Sequence, residues 1–196
     1  MPLTEAAGGR KRISIAPSET LTAEGNAGTV YGKLDVMSPQ IRGYRSSDEE
    51  PVVALSLRAW APVFVSLEKV LGTEIFRRLH PDWRVDQDKA VRAVLADSAM
   101  HLWVAEDAPG PAGFAAAKLD SDSLVGEIYM LAVDPAAQDQ GIGTALTEMA
   151  TDWLRTSGMR VAMIDSGGDA GHAPARRVYE KAEYTLLPIA RYFKAL

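Results

Sequence analysis

An α/β (α+β) fold, with a mixed sheet flanked by helices, is what this sequence predicts. Two observations lead to it. Residues 52–97 carry apolar side chains at helical spacing, and residues 101–133 switch to strand-like runs. After these, a strand, a short polar turn ending in Gln138-x-x-Gly141-x-Gly143 and an amphipathic helix follow without a break. The resulting order is β-α-α-α-β-β-β-α-β-α-β-β, the pattern of layered helices on a sheet. With 196 residues and 47% apolar content, the chain is long enough for one domain with a full core.

Residues 1–39 stand apart. They are rich in Gly, Ala, Thr, Ser and Glu and poor in large apolar side chains, the composition of a flexible or loosely attached extension. Arg10-Lys11-Arg12 is basic, yet no apolar stretch follows it as in a secretory leader. Met37 sits where an internal start would fall. The alternative is that residues 13–15 and 30–34 add strands or swap onto a partner chain. The domain proper is expected at residues 40–196.

Within that domain a short strand is expected at 41–44. Ser46, Ser47 and Asp48 offer capping side chains, and Glu49 and Glu50 put acids into the first turn of a helix. Pro62 is expected to interrupt it. A second helix is expected over 64–79, with Leu67, Val70, Leu71, Ile75 and Leu79 on one face, and His80-Pro81-Asp82-Trp83 breaks it. A third, over 86–97, turns Ala90, Val91, Val94 and Leu95 inward. Strands at 101–106 and 113–119 are joined by the turn-forming Asp107-Ala-Pro-Gly-Pro-Ala. The strand at 124–133, read with strict alternation, puts Ile128, Met130 and Ala132 on one face and Glu127, Tyr129, Leu131 and Val133 on the other. A helix over 141–157 buries Ile142, Leu146, Met149 and Trp153, and Gly158 ends it. Residues 160–165 read as a buried strand. Residues 166–171 read as a loop, and residues 174–181 as a helix with proline near its first turn. Residues 185–187 and 189–194 read as two closing strands around Pro188.

Composition bounds the function. The net charge of −5 argues against nucleic acid as a partner and suits a cationic small substrate. No apolar run reaches transmembrane length, so no membrane partner is expected. There is no cysteine, which excludes disulfides, thiol-ligated metal and an acyl-cysteine intermediate, and fits a reducing cytoplasm. No metal site is expected.

The turn before the helix carries the chemistry. The first turn of a helix has unpaired N–H groups and a partial positive charge, and glycine removes the Cβ that would hold an anion away. This is a phosphate-binding arrangement. It is not a Walker loop, because Thr144 follows Gly143 with no lysine. Nor is it a dinucleotide fingerprint, because Leu146 occupies the place of the third glycine.

Val133-x-Pro135-x-x-Gln138-x-x-Gly141-x-Gly143 resembles the acyl-CoA pyrophosphate loop of the GNAT superfamily of N-acetyltransferases. His172-Ala-Pro-Ala175-Arg-Arg-Val-Tyr179-Glu-Lys-Ala-Glu-Tyr184 is similar to the family's second motif, Asn-x-x-Ala-x-x-Leu-Tyr-x-x-x-Gly-Phe. The resemblance covers residues 40–196. It implies a mostly antiparallel mixed sheet, with two neighbouring strands splayed apart around the pantetheine arm of acetyl-CoA. It also implies cosubstrate contacts at Leu131, Ala132 and Val133, through Gln138, Asp139, Gln140, Gly141, Ile142, Gly143 and Thr144, and at His172. Two departures stand out. Asp139 adds a negative charge to a loop with no cation, and Glu183 replaces the glycine of Gly-Phe.

Moving an acetyl group from a thioester to an amine requires a neutral amine and a protonated leaving thiol. A lysine-like amine has a pKa near ~10.4, so deprotonating it at neutral pH costs about 4–5 kcal/mol. Glu127 is the base candidate, directly or through water, because its strand face is apolar and the family's glutamate base falls at this offset from the loop. Tyr179 matches the family tyrosine and is the acid candidate, with a core aromatic as the alternative. The expected activity is acetyl transfer to a primary amine of a small molecule, by direct attack in a ternary complex. A non-catalytic acyl-CoA sensor or assembly module and a protein N-terminal or lysine acetyltransferase are the alternatives. Trp60, Phe64, Trp83, Tyr184 and Tyr192 are candidate acceptor-pocket walls, Asp82 and Glu68 candidate cation attractors, and a homodimer is open to the chain.

Overall fold

The computed structural model describes residues 39–107 and 110–196. The expectations for residues 1–38, namely the extension, its basic run and its alternative strands, lie outside the described residues. One five-stranded sheet forms the centre, ordered β1 (Gln40–Gly43), β2 (His101–Asp107), β3 (Gly110–Asp120), β4 (Val125–Val133) and β5 (Val161–Ile164). Neighbours are antiparallel except β4 and β5, which run parallel. The sheet is therefore mixed and mostly antiparallel, as expected. α1 (Glu49–Leu79) and α2 (Trp83–Ala96) cover one face. α3 (Ile142–Thr156) covers the other, and α4 (Ala173–Lys181) packs against α3.

Two cores result. Val52, Val53 and Leu55 of α1 and Val91 and Leu95 of α2 meet Val104, Phe114 and Ala132 on one face. Ile142, Leu146, Ala150 and Leu154 of α3 meet Ala105, Ala115, Ala117 and Ile128 on the other. Each fully buried leucine contributes about 1.5–3 kcal/mol. α3 lies so close to β4 that a Cβ on Gly126 would fall 2.3 Å from Leu154 Cδ2.

α1 differs from the expected pair of helices. It runs through Pro62, and the break comes at Gly72, whose φ is +75°. Proline costs a helix about 3 kcal/mol, but Leu55 before it and Phe64 after it are both buried and hold the helix to the sheet. Gly72 takes a conformation that side chains resist and re-phases the last turns. Phe76 therefore faces inward and Leu79 outward, and Val70, before the break, is exposed as well. The length and composition reading also needs correction. Ser46–Leu79 contains a stretch of mean hydropathy 1.3, long and apolar enough to cross a membrane. That same helix supplies the fully buried Val52 and Leu55 of the core. On α3, Met149 is exposed rather than buried, and Thr147 and Ala150 take the inner positions.

β4 does not alternate strictly. Ala116 pairs with Met130 and Ala117 with Ile128, so Tyr129 is an extra residue, a β-bulge. Parity flips there. Ile128 faces α3, whereas Met130 and Ala132 face α1 and α2. The two faces deduced from alternation are thus wrong on one side of Tyr129.

The end of the chain is the largest departure. After Ala182 no strand forms, and Leu186, Leu187, Ile189, Tyr192 and Leu196 are exposed. Pro188 lacks the N–H that a ladder needs and divides the segment into runs too short to pair. Among the described residues β5 is consequently an edge strand, with Val161 and Met163 exposed, and not the buried strand expected.

Candidate active site

The polar turn is pinned at both ends. Ala137 and Ile142 are buried in the α3-side core, and residues 138–141 between them are exposed. Asp134 accepts from the Ala136 N–H at 3.0 Å and starts a single 3-10 turn, Pro135–Ala137. The Gln138 amide donates back to the Val133 carbonyl at 3.4 Å. Asp139 and Gly141 then take φ values of +62° and +83°. Gly141 is the N-cap of α3, and no side chain caps that end. The amides of Ile142, Gly143 and Thr144 have no intrahelical acceptor, and the helix start carries roughly half a positive charge. Among the described residues nothing lies within 4 Å of where a Cβ on Gly141 would stand. Bare donors, a positive dipole and open space fit a diphosphate. Asp139, on this turn, is the expected negative charge.

The sheet opens beside this turn. β4 and β5 pair only as far as Ile128 and Ile164, while β4 runs on to Val133. The opening begins next to the Tyr129 bulge. Its boundaries are residues 129–133, the start of α3, and the connection from β5 to α4. α4 closes in at the mouth, where a Cβ on Gly143 would lie 3.6 Å from Val178 and 3.7 Å from Val133. Leu131, Ala132 and Val133 therefore lie along the unpaired stretch of β4, next to the turn.

Glu127 sits just inside the paired part of β4. Strand pairing sets Lys118 directly opposite, and its ammonium meets Glu127 Oε2 at 2.8 Å. The same ammonium lies 4.3 Å from the centre of the Tyr129 ring. The hydrogen bond to Glu127 raises the Lys118 pKa and keeps it charged. Glu127 thus has an ionic partner across the strands, which alternation alone did not provide for.

Tyr179 lies on α4, its ring 6.4 Å from that of Tyr184. Burial, with the neighbouring Tyr184, pushes its hydroxyl up to about 12. It holds its proton across the neutral range. Tyr184 is tied to α3 through Thr151 Oγ1 at 2.8 Å.

His172 stands at the N-cap of α4 but makes no capping bond. Its Nδ1 is hydrogen-bonded to Asp169. The candidate pocket walls do not gather. Phe64 stacks on Trp83 at 4.4 Å beside His80, Tyr184 lies against α3, and Tyr192 is 91% exposed. Asp82 caps α2, accepting from Val85 N–H at 3.3 Å. Sequence reasoning missed Lys118, Ser66, Asp169 and Arg58. Arg58 of α1 bonds Asp134, its Nε at 3.0 Å, and so ties α1 to the root of the turn. Only folding brings residues that far apart in sequence together.

Unpaired helix-start amides thus stand beside a parallel strand pair that opens in a mixed sheet. Residues 71–184 match the acetyltransferase (GNAT) family, and the chain belongs to it. It is 42% identical over 91 residues to a mycothiol acetyltransferase of Beutenbergia cavernae, covering 45% of this chain and 29% of that one. The chain spans less than half the length of the mycothiol acetyltransferases it matches. Among solved structures, an aminoglycoside antibiotic 6'-N-acetyltransferase from Acinetobacter haemolyticus superposes with a TM-score of 0.56 at 13% identity, covering 80% of this chain and 98% of that one. An aminoglycoside N-acetyltransferase in complex with CoA superposes at 0.53 and 15% identity, covering 81% and 95%. These two likenesses concern the fold.

Proposed function

We propose that this GNAT acetyltransferase moves an acetyl group from acetyl-CoA to a primary amine of a small molecule, by direct attack in a ternary complex. The uncapped start of α3 where β4 parts from β5 carries this reading. In it, the amides of residues 138–144 hold the diphosphate, and residues 131–133 line the pantetheine arm. The bound cosubstrate supplies an activated acyl thioester. The amine enters from the α1 and α2 side, and Glu127 takes its proton directly or through water. Tyr179, which holds its proton at neutral pH, passes it to the departing thiolate as it takes the one shed by nitrogen, because on its own the phenol is a weaker acid than a free thiol of pKa near ~8.5. The small-molecule acceptor is supported by relatives whose name refers to mycothiol. We take residues 40–196 as the transferase domain, and the cysteine-free chain suits the reducing cytoplasm, where we propose it works.

Calorimetry with CoA and release of free CoA over a panel of amines test the reading. Gly141→Ala should weaken CoA binding about ten-fold, because a side chain at φ +83° costs about 1–2 kcal/mol and crowds the anion site. Tyr179→Phe should lower kcat at least about ten-fold with CoA affinity kept. No heat with CoA overturns the proposal. Binding without turnover of any amine makes the protein a sensor.

A further inference from the structure

A second titratable group stands at the start of α4, the helix that carries Tyr179 and whose Val178 lies beside Gly143, and the reaction as described does not use it. His172 ends the connection from β5. Its Nδ1 bonds to Asp169 Oδ2. Asp169 is buried, and its carboxylate also receives the Gly171 N–H at 2.9 Å and the Ser66 hydroxyl. Arg176 holds the backbone of the same loop, donating to the carbonyls of Gly167 and of Asp169, the latter at 2.8 Å. The Gly171 N–H also reaches Ser66 Oγ at 2.9 Å, which fastens the loop to α1. The fit is close, since a Cβ on Gly171 would fall 2.9 Å from Val63 Cα.

This support fixes an imidazole and leaves one nitrogen to work. A carboxylate on Nδ1 selects the Nδ1–H tautomer and leaves the lone pair on Nε2. It also stabilises the imidazolium that forms when Nε2 takes a proton. Burial pushes the Asp169 carboxyl up, but the hydrogen bonds from Ser66 and His172 outweigh it and hold the group below its ordinary range. Nε2 has no hydrogen-bond partner among the described residues. Asp169 on the same loop meets the ring, Arg176 of α4 holds the backbone of that loop, and α1 brings the uncharged Ser66 to Asp169. Glu127, by contrast, already shares a carboxylate oxygen with Lys118.

We propose that His172 Nε2, in place of Glu127, accepts the proton of the incoming ammonium, with Asp169 as its positioning residue. The inference rests on the acetyl-transfer reading above. The ammonium gives one proton to Nε2 and becomes a nucleophile. As the N–C bond forms and the C–S bond breaks, the proton shed by nitrogen reaches the thiolate by way of the Tyr179 hydroxyl. The imidazolium returns its proton to water, so the products are amide, free thiol and one proton. The role expected from the resemblance, a donor to the cosubstrate, is thereby replaced by that of an acceptor.

Four full-length proteins test it: wild type, His172→Asn, Asp169→Asn and Glu127→Gln. Each is assayed with a strongly basic amine and with a weakly basic one already neutral at the assay pH. His172→Asn should lower kcat about 100-fold for the first amine and only a few-fold for the second, with the KM for acetyl-CoA held within about two-fold. Asp169→Asn should lower kcat about ten-fold with KM unchanged. Imidazole 15N spectra of the cofactor-free enzyme should show His172 as the Nδ1–H tautomer, and as a mixture of tautomers in Asp169→Asn. Equal losses for both amines, a wild-type kcat in His172→Asn, a loss confined to Glu127→Gln, or an Nε2–H tautomer in the wild type would each overturn the proposal while leaving acetyl transfer intact. A wild type that binds no CoA sinks the transfer reading and this inference with it.

Discussion

α3 and α4 end in the same hydrogen-bonded cap but place different residues at its strained position. At the end of α3, Met159 N–H donates to the Leu154 carbonyl at 3.1 Å and Gly158 N–H to that of Arg155 at 3.1 Å, with Gly158 at φ +88°. At the end of α4, Tyr184 N–H donates to Tyr179 at 3.0 Å and Glu183 N–H to Glu180 at 3.1 Å, with Glu183 at φ +64°. Both are Schellman caps, whose left-handed residue is ordinarily glycine. A side chain there costs about 1–2 kcal/mol. Glycine gives back about 0.5–1 kcal/mol of that through the greater freedom of its unfolded chain. Glu183→Gly should therefore stabilise the protein by about 0.5–1 kcal/mol. At about 2–4 °C per kcal/mol for a chain of this size, Tm rises by about 1–4 °C. Gly158→Ala should cost about 1 kcal/mol, and by strain alone, since nothing lies within 4 Å of its Cβ. Urea unfolding followed by circular dichroism reads both as shifts of midpoint at constant slope. A Glu183→Gly protein no more stable than the parent, beside a destabilised Gly158→Ala, would refute the argument. The cap also sets the spacing of Tyr179 and Tyr184, so the strain lies next to the proposed acid.

Two further outcomes follow from packing and charge. Gly126→Ala should destabilise by about 1–3 kcal/mol, because its Cβ would lie 2.3 Å from Cδ2 and 2.9 Å from Cγ of Leu154, itself fully buried; an unchanged urea midpoint would mean that α3 sits farther from β4. Asp48 is buried and accepts from Arg42 at 2.7 and 2.9 Å and from the Arg45 N–H at 2.8 Å, and the Arg42 hydrogen bonds hold its carboxyl below the usual range against the opposing effect of burial. A depressed folded-state pKa contributes stability above the unfolded value of about 3.9, and that stability is lost as pH falls through the folded value. Asp48→Asn should thus cost about 1–3 kcal/mol at neutral pH and flatten the acid side of the stability curve measured from pH ~7 to ~2. Parallel curves for the two proteins would show that the pair contributes nothing.

What could be read in the sequence was what neighbouring residues decide among themselves. The turn from Asp134 to Gly143 was legible because capping, left-handed glycine and a helix start are all local, and the fold class followed from the order of local patterns. The errors lie where distant chain decides. Pro62 predicts a helix end because the cost of proline is local, whereas the burial of Leu55 and Phe64 that offsets it is not. The closing strands were read from apolar residues around Pro188, but a strand exists only when a neighbour accepts its ladder.

β4 shows the same division within nine residues. Period-two alternation is a sound rule for an unbroken ladder, and it placed Glu127 among apolar neighbours. One extra residue at Tyr129 invalidates it, and nothing in the local sequence announces that residue, because the bulge is a property of the register against β3. The consequence is chemical. Lys118 becomes the cross-strand partner of Glu127, and its ammonium reaches over to the bulged ring of Tyr129. The bulge adjoins the level where β4 parts from β5, so the irregularity that defeats the pattern stands where the cleft opens. If the pairing of Glu127 with Lys118 serves to hold that bulge, Lys118→Met should lower the thermal stability of the domain and displace Tyr129. If instead Lys118 only neutralises the carboxylate, the same substitution should leave the Tyr129 environment, read by fluorescence or ring NMR, as it is in the parent.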